Sequence, residues 1–119
     1  MTLDELIEEY KQMAFICHNI DYADKKSVKR KNKAVDRMYQ IVESINSKFG
    51  ESGVTEFAKL IDFKQDGTDL WSSVHMLEKM SFDNQAEKKA LIIIKEEAKQ
   101  SLGMEYWLTS YFDKKYPAR

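Results

Sequence analysis

Two stretches of this 119-residue chain carry side chains that could do chemistry. The first is DGTDLWSSVHMLEKM, residues 66–80, which holds Trp71, His75 and Glu78. On a helix these three are neighbours by the i, i+4 and i, i+3 rule. An imidazole near a carboxylate could move a proton, and the indole could hold a ring or a partner side chain. Asp62, Asp66 and Asp69 stand at the turn that precedes them. The second stretch is KKSVKRKNK, residues 25–33. Six of its nine residues are basic: Lys25, Lys26, Lys29, Arg30, Lys31 and Lys33. Such a run makes the local positive field that phosphates seek.

Each stretch also has a plainer reading. Spacing predicts a helix over residues 69–80 with Thr68 as its N-cap and Leu70, Val74 and Leu77 facing inward. Trp71, His75 and Glu78 then share a flank. There Trp71 either packs on a second helix or anchors a protein partner, as aromatics with polar rims do. The basic run has no aromatic interleaved for base stacking. The chain's pI of about 6.1 lies below that of a dedicated nucleic-acid binder. Asp21 and Asp24 precede the run, and Glu5, Glu8 and Glu9 lie on the first predicted helix. A solvated face partnered by those acids is the plain expectation for it.

Catalytic patterns are missing from the rest of the chain. Cys17 and His18 are adjacent, so on a helix they point about 100° apart and cannot form a thiolate–imidazolium pair. They read as a core Cys beside a surface His. Glu8-Glu9 and Glu96-Glu97 lie on different helical faces, without the facing geometry of glycoside or metal chemistry. There is no Gly-rich phosphate loop, no H-E-x-x-H and no G-x-S-x-G. One Cys and two His are too few for a structural zinc site. The expectation is a non-catalytic chain without metal or cofactor.

The elements that must position these residues read as helices. Four Gly and one Pro punctuate the chain, and period-2 alternation is nearly absent. TLDE opens helix 1, residues 3–18, with a capping box of Thr2 and Glu5. Helix 2 spans residues 25–49, and GESG, residues 50–53, is the clearest loop. Helix 3 covers residues 54–61, with Val54, Phe57, Ala58 and Ile61 inward. After helix 4, residues 69–80, NQAE caps helix 5, residues 85–100, through Asn84. Its apolar residues run round much of the circumference, which predicts the most buried helix. Helix 6, residues 104–113, sets Met104, Trp107, Leu108, Tyr111 and Phe112 on one side, and KKYPAR, residues 114–119, frays. Six helices with short connections make three antiparallel hairpins in a single domain, residues 1–119. The architecture is a short HEAT-like α-solenoid or an orthogonal bundle.

Charge is uneven. Residues 1–24 carry six acids and one Lys, and residues 25–48 carry eight bases and two acids. The longest fully apolar stretch, ALIII at residues 90–94, is far too short for a bilayer. The acidic N-terminus has no secretory pattern, so a cytoplasmic protein without membrane contact is expected.

GVTEFAKLIDFKQDGTDLWSSVHMLEKM, then EKKALIIIKEEA and GMEYWLTSYF, resemble a small bacterial domain family of unknown function built from HEAT-like hairpins. KNKAVDRMYQI is similar to that family's N-x-x-x-D helix, with Asn32 and Asp36 in the matching places. Where the family pattern has a Val-Arg pair after the turn, this chain has Leu70-Trp71. Trp107-Leu108 is similar to a pair near the C-terminus of immunity proteins of bacterial polymorphic toxin systems. The resemblance implies a protein that binds and neutralises a cognate toxin. The expected contact surface is Asp62, Asp66, Asp69, Trp71, His75 and Glu78, with Trp107 and Tyr111 beside them. The alternatives are a general adaptor or regulator, and a nucleic-acid-associated protein using residues 25–33.

Overall fold

The computed structural model describes residues 1–115. Thr2 accepts from the Glu5 amide at 3.1 Å and Glu5 reaches back to the Thr2 amide at 2.9 Å, so α1 (Leu3–His18) starts in the expected capping box. Its stripe Leu6, Tyr10, Ala14 and Cys17 is buried. Asp24 caps α2 (Lys25–Ala58) by accepting from the Lys26 amide at 2.9 Å. Then come 3-10 turns at Lys59–Asp62 and Gln65–Gly67, α3 (Thr68–Lys79), α4 (Asn84–Ala98) and α5 (Leu102–Lys115). Among the described residues there are helices, turns and short loops but no strand, with five helices in a compact globule.

Helix 2 and helix 3 of the sequence reading meet at a kink at Gly50, whereas Glu51, Ser52 and Gly53, read as loop, are helical. Gly50 alone leaves helical geometry, at φ 56° and ψ −138°, a region only Gly occupies without strain. That one residue turns the chain sharply. A Cβ built on Gly53 would sit 2.9 Å from Ile45 Cγ2 and 2.7 Å from Phe49 Cβ. In a straight helix, residues 45 and 53 would stand about 12 Å apart. The second arm of α2 therefore presses on the end of the first, and Gly53 lets the backbones meet. Val54 and Phe57 complete the contact from the inward face.

Each helix packs on the next one in the chain, and α3 also touches α1 and the 3-10 turn at Lys59–Asp62. Its central place corrects the expectation that helix 5 would be the most buried. Ser72, Ser73, Val74, His75, Met76 and Leu77 of α3 are all buried, whereas α4 buries only Ala90 and Ile94 and leaves Ile92 69% exposed. Apolar residues round a helix mark burial only if neighbours stand on every side. The Ser72 and Ser73 hydroxyls are satisfied by the Asp69 carbonyl at 3.2 and 2.6 Å.

Two caps also differ by one residue. Asp83, not Asn84, caps α4 by accepting from the Ala86 amide at 2.8 Å. Thr68 is the first residue of α3, behind Gly67 in the left-handed region. Lys114 and Lys115 belong to α5, and residues 116–119, read above as frayed, lie outside the described residues.

The arm contact has a direct test. An exposed helical Gly→Ala change stabilises by roughly 0.5–1 kcal/mol. Gly53→Ala is expected instead to destabilise by about 1–3 kcal/mol, the usual cost of overpacking. A urea midpoint at or above that of the parent chain would refute the close approach.

Candidate functional site

One open groove of about 710 Å³ lies between α2, α3 and α5. Its walls include Tyr39 and Glu43 from α2, Glu78 and Lys79 from the end of α3, Phe82 from the following loop, and Trp107 and Tyr111 from α5. Glu78 ties these helices together. Tyr39 Oη donates to Glu78 Oε1 at 2.8 Å, and Trp107 Nε1–H donates to Glu78 Oε2 at 3.2 Å. Both carboxylate oxygens thus hold an aromatic side chain of the wall. Burial, then the hydrogen bond to Glu78, push the Tyr39 hydroxyl up to about 12, so it remains a donor.

The α5 wall is a stacked pair. Trp107 and Tyr111 lie one turn apart with ring centroids 5.2 Å apart and planes within 7°. Tyr111 Oη and Lys115 Nζ both donate to the Glu87 carboxylate on α4. Lys115 and then Tyr111 hold that carboxyl below its ordinary range. Lys79 Nζ lies 5.9 Å above the Tyr39 ring and Lys115 Nζ 5.8 Å above Phe82, so cations border the rings.

Behind the groove sits His75, 1% exposed. Its Nδ1 is 2.8 Å from Tyr10 Oη, and its ring centroid is 4.3 Å from that of Tyr39 and 5.5 Å from that of Trp71. Whichever atom carries the ring proton, Nε2 is enclosed without a hydrogen-bond partner. Burial without a compensating charge lowers the imidazole to about 4, so it is neutral at pH 7. A ring so enclosed cannot exchange protons with a bound molecule. Cys17 is buried too, and burial raises its thiol, away from nucleophilic character. His18 is exposed beside it, the core Cys and surface His that the sequence predicts.

The residues singled out by sequence therefore separate. Glu78, Trp107 and Tyr111 meet in the groove. Trp71 is half-buried against His75, behind Tyr39. Asp62, Asp66 and Asp69 stand near the other end of α3, roughly 14 Å along it from Glu78 at about 1.5 Å per residue. Asp62 pairs with Lys89 at 3.3 Å, and Asp69 Oδ1 accepts from the Leu70 amide at 2.9 Å. Asp66 takes the left-handed conformation at φ 58°. Tyr39, Glu43 and Phe82 line the groove and were not singled out. The i, i+4 pair Tyr39 and Glu43 shares one face, but nothing local links it to a carboxylate 39 residues away.

The basic run is also placed differently from expectation. Lys25, Lys26, Lys29, Arg30 and Lys33 are exposed, and among the described residues none of the run pairs with a carboxylate. The acids of α1 are engaged elsewhere. Glu9 binds Arg37 through two bonds of 2.6 and 2.7 Å, Glu8 pairs with Lys11, and Glu5 caps its own helix. Lys31 alone is half-buried, its ammonium 3.1 Å from Tyr22 Oη and 5.2 Å from that ring's centroid.

Among the described residues no group of three or more His, Cys, Asp or Glu is placed to hold a metal ion, and no helix is long and apolar enough to cross a membrane. Comparison with protein-family models, with curated proteins and with solved structures finds no match.

The buried imidazole makes stability depend on acid. Unfolded, His75 takes a proton near 6.5, whereas folded it resists until about pH 4. The unfolded chain therefore binds the proton first. Its stabilising share is complete above pH 6.5 and disappears as pH falls to 4, at 1.36 kcal/mol per unit, in total about 3 kcal/mol. Urea unfolding at pH 7, 5.5 and 4.5 should show a flatter profile for His75→Gln than for the parent chain. Equal slopes would mean that the ring accepts a proton without cost in the folded state.

Proposed function

We propose that this chain is a non-catalytic protein-binding module that uses the groove between α2, α3 and α5. The carrying observation is that Glu78 holds Tyr39 and Trp107 in fixed positions, so the aromatic wall is ordered before any partner arrives. Preordered aromatics lose little freedom on binding, which is how interface anchors gain their strength. The reading extends to an immunity protein of HEAT-like hairpin build that works in the cytoplasm against a cognate bacterial toxin. Its support is the likeness of the Trp107-Leu108 segment noted above and the mixed-charge rim of Glu43, Lys79 and Lys114, of the kind that steers association. A general adaptor would use the same groove.

A neighbouring gene that encodes a variable toxin module would supply the candidate partner. Co-expression should rescue cells from that module, and loss of rescue would sink the immunity reading while leaving the groove in play. Trp107→Ala should weaken binding of the purified module by about 2 kcal/mol or more, roughly thirtyfold, with helical content kept. If Trp107→Ala and Tyr111→Ala both bind as the parent does, the groove is not the contact surface.

A further inference from the structure

We propose that the groove continues past Phe82 into a second pocket, and that the two together hold a short peptide segment of the partner whose arginine enters the second pocket. This rests on the groove reading above and names the chemistry of the segment that fills it. The second pocket, about 650 Å³, lies between the two arms of α2, the loop after α3 and the start of α4. Phe82 lines both pockets. Tyr39 and Glu43 line the first, and Asn46 and Gly50 line the second. Their spacing of four, three and four residues puts these side chains and Gly50 on one stripe of the first arm. The pockets are therefore neighbours along one helix face, about 16 Å long from Tyr39 to Gly50 at about 1.5 Å per residue. An extended segment of about five residues covers that span at roughly 3.3 Å each.

The two ends differ in charge. Lys79 and Lys114 line the first pocket, and neither makes an ion pair with a described residue. Lys115, beside Phe82, is matched by Glu87. No Lys or Arg lines the second pocket, whereas Glu51 and Asp83 do. Glu51 is exposed and, like Glu43, makes no ion pair among the described residues. Asp83 caps α4 through Oδ1, and a carboxylate can accept through both oxygens. Val54 and Ala58 supply an apolar wall beside these acids. Arginine answers this combination: an apolar stem for the wall, and a planar fork of five donors for the carboxylates. An acidic residue at the other end of the segment meets Lys79 and Lys114, with an apolar residue between them against Trp107.

Fluorescence anisotropy of the full chain with a dye-labelled synthetic peptide, Gly-Asp-Gly-Leu-Gly-Arg-Gly amide, tests this. Alternate residues of an extended chain share a side, so its Asp, Leu and Arg face the groove together. Binding should saturate, with a Kd below about 1 mM. Replacing the peptide's arginine by alanine should weaken it at least about tenfold, and by lysine to an intermediate degree. On the protein, Glu51→Gln with Asp83→Asn should weaken the arginine peptide at least about tenfold and leave the alanine peptide unchanged. Asn keeps the cap of α4, so circular dichroism should show the double variant as helical as the parent. No saturable binding, equal binding of the alanine or lysine peptide, or no loss in the double variant would overturn the proposal. If Trp107→Ala abolishes binding while the double variant binds normally, the extension falls and the groove reading stands. If the double variant loses binding while Trp107→Ala keeps it, the joined site falls, and the toxin module still tests the groove by itself.

Discussion

An imidazole kept neutral at the junction of three helices is the constraint on which this fold turns. His75 comes from α3, its Nδ1 partner Tyr10 from α1, and the ring packed on it, Tyr39, from α2. Leaving Nε2 unpartnered costs on the order of 1–3 kcal/mol. The surrounding rings offset that cost through packing: Tyr10 also meets Phe57 edge to face at 4.9 Å, which joins the second arm of α2 to the same cluster. Shifting any one of these helices would expose the imidazole or open a void around it, so their relative positions are fixed together.

Order at this junction passes outward to the groove. Tyr39 has its ring against His75 and its hydroxyl on Glu78, so one side chain spans from the core to the surface. Glu78 then fixes Trp107. The groove wall is thus an extension of the core rather than a separate surface feature. This is what distinguishes Glu78, an exposed residue with two defined partners, from carboxylates such as Glu96, paired only with an exposed Lys99.

Local rules were legible in the sequence where they act locally. The capping box at Thr2, the stripe of α1, the stop at Gly50 and the buried state of Cys17 all follow from residues within one or two turns. What periodicity did not reveal was how many neighbours a helix would meet. Seven residues of α3 are buried because helices flank it on several sides, and so His75, placed by periodicity on the flank beside the apolar stripe, lies inside. The opposite holds for Ile92 on α4. Within the site, Trp107 and Tyr111 were visible as an i, i+4 pair, whereas Tyr39 joins Glu78 across 39 residues of sequence.

The way α5 is held has a consequence for how the molecule moves. No residue of α5 is fully buried, and its attachments include polar tips: Trp107 on Glu78, and Tyr111 and Lys115 on Glu87. Water can replace such bonds one at a time, whereas the apolar contacts of α3 break only together. The last helix is therefore the natural first unit to detach in native-state fluctuations, a partial opening that precedes global unfolding. Because α5 supplies one wall of the groove, such an opening would remove that wall and the groove with it, while the packing of Met104, Trp107, Leu108 and Tyr111 on the core keeps the wall in place between these events.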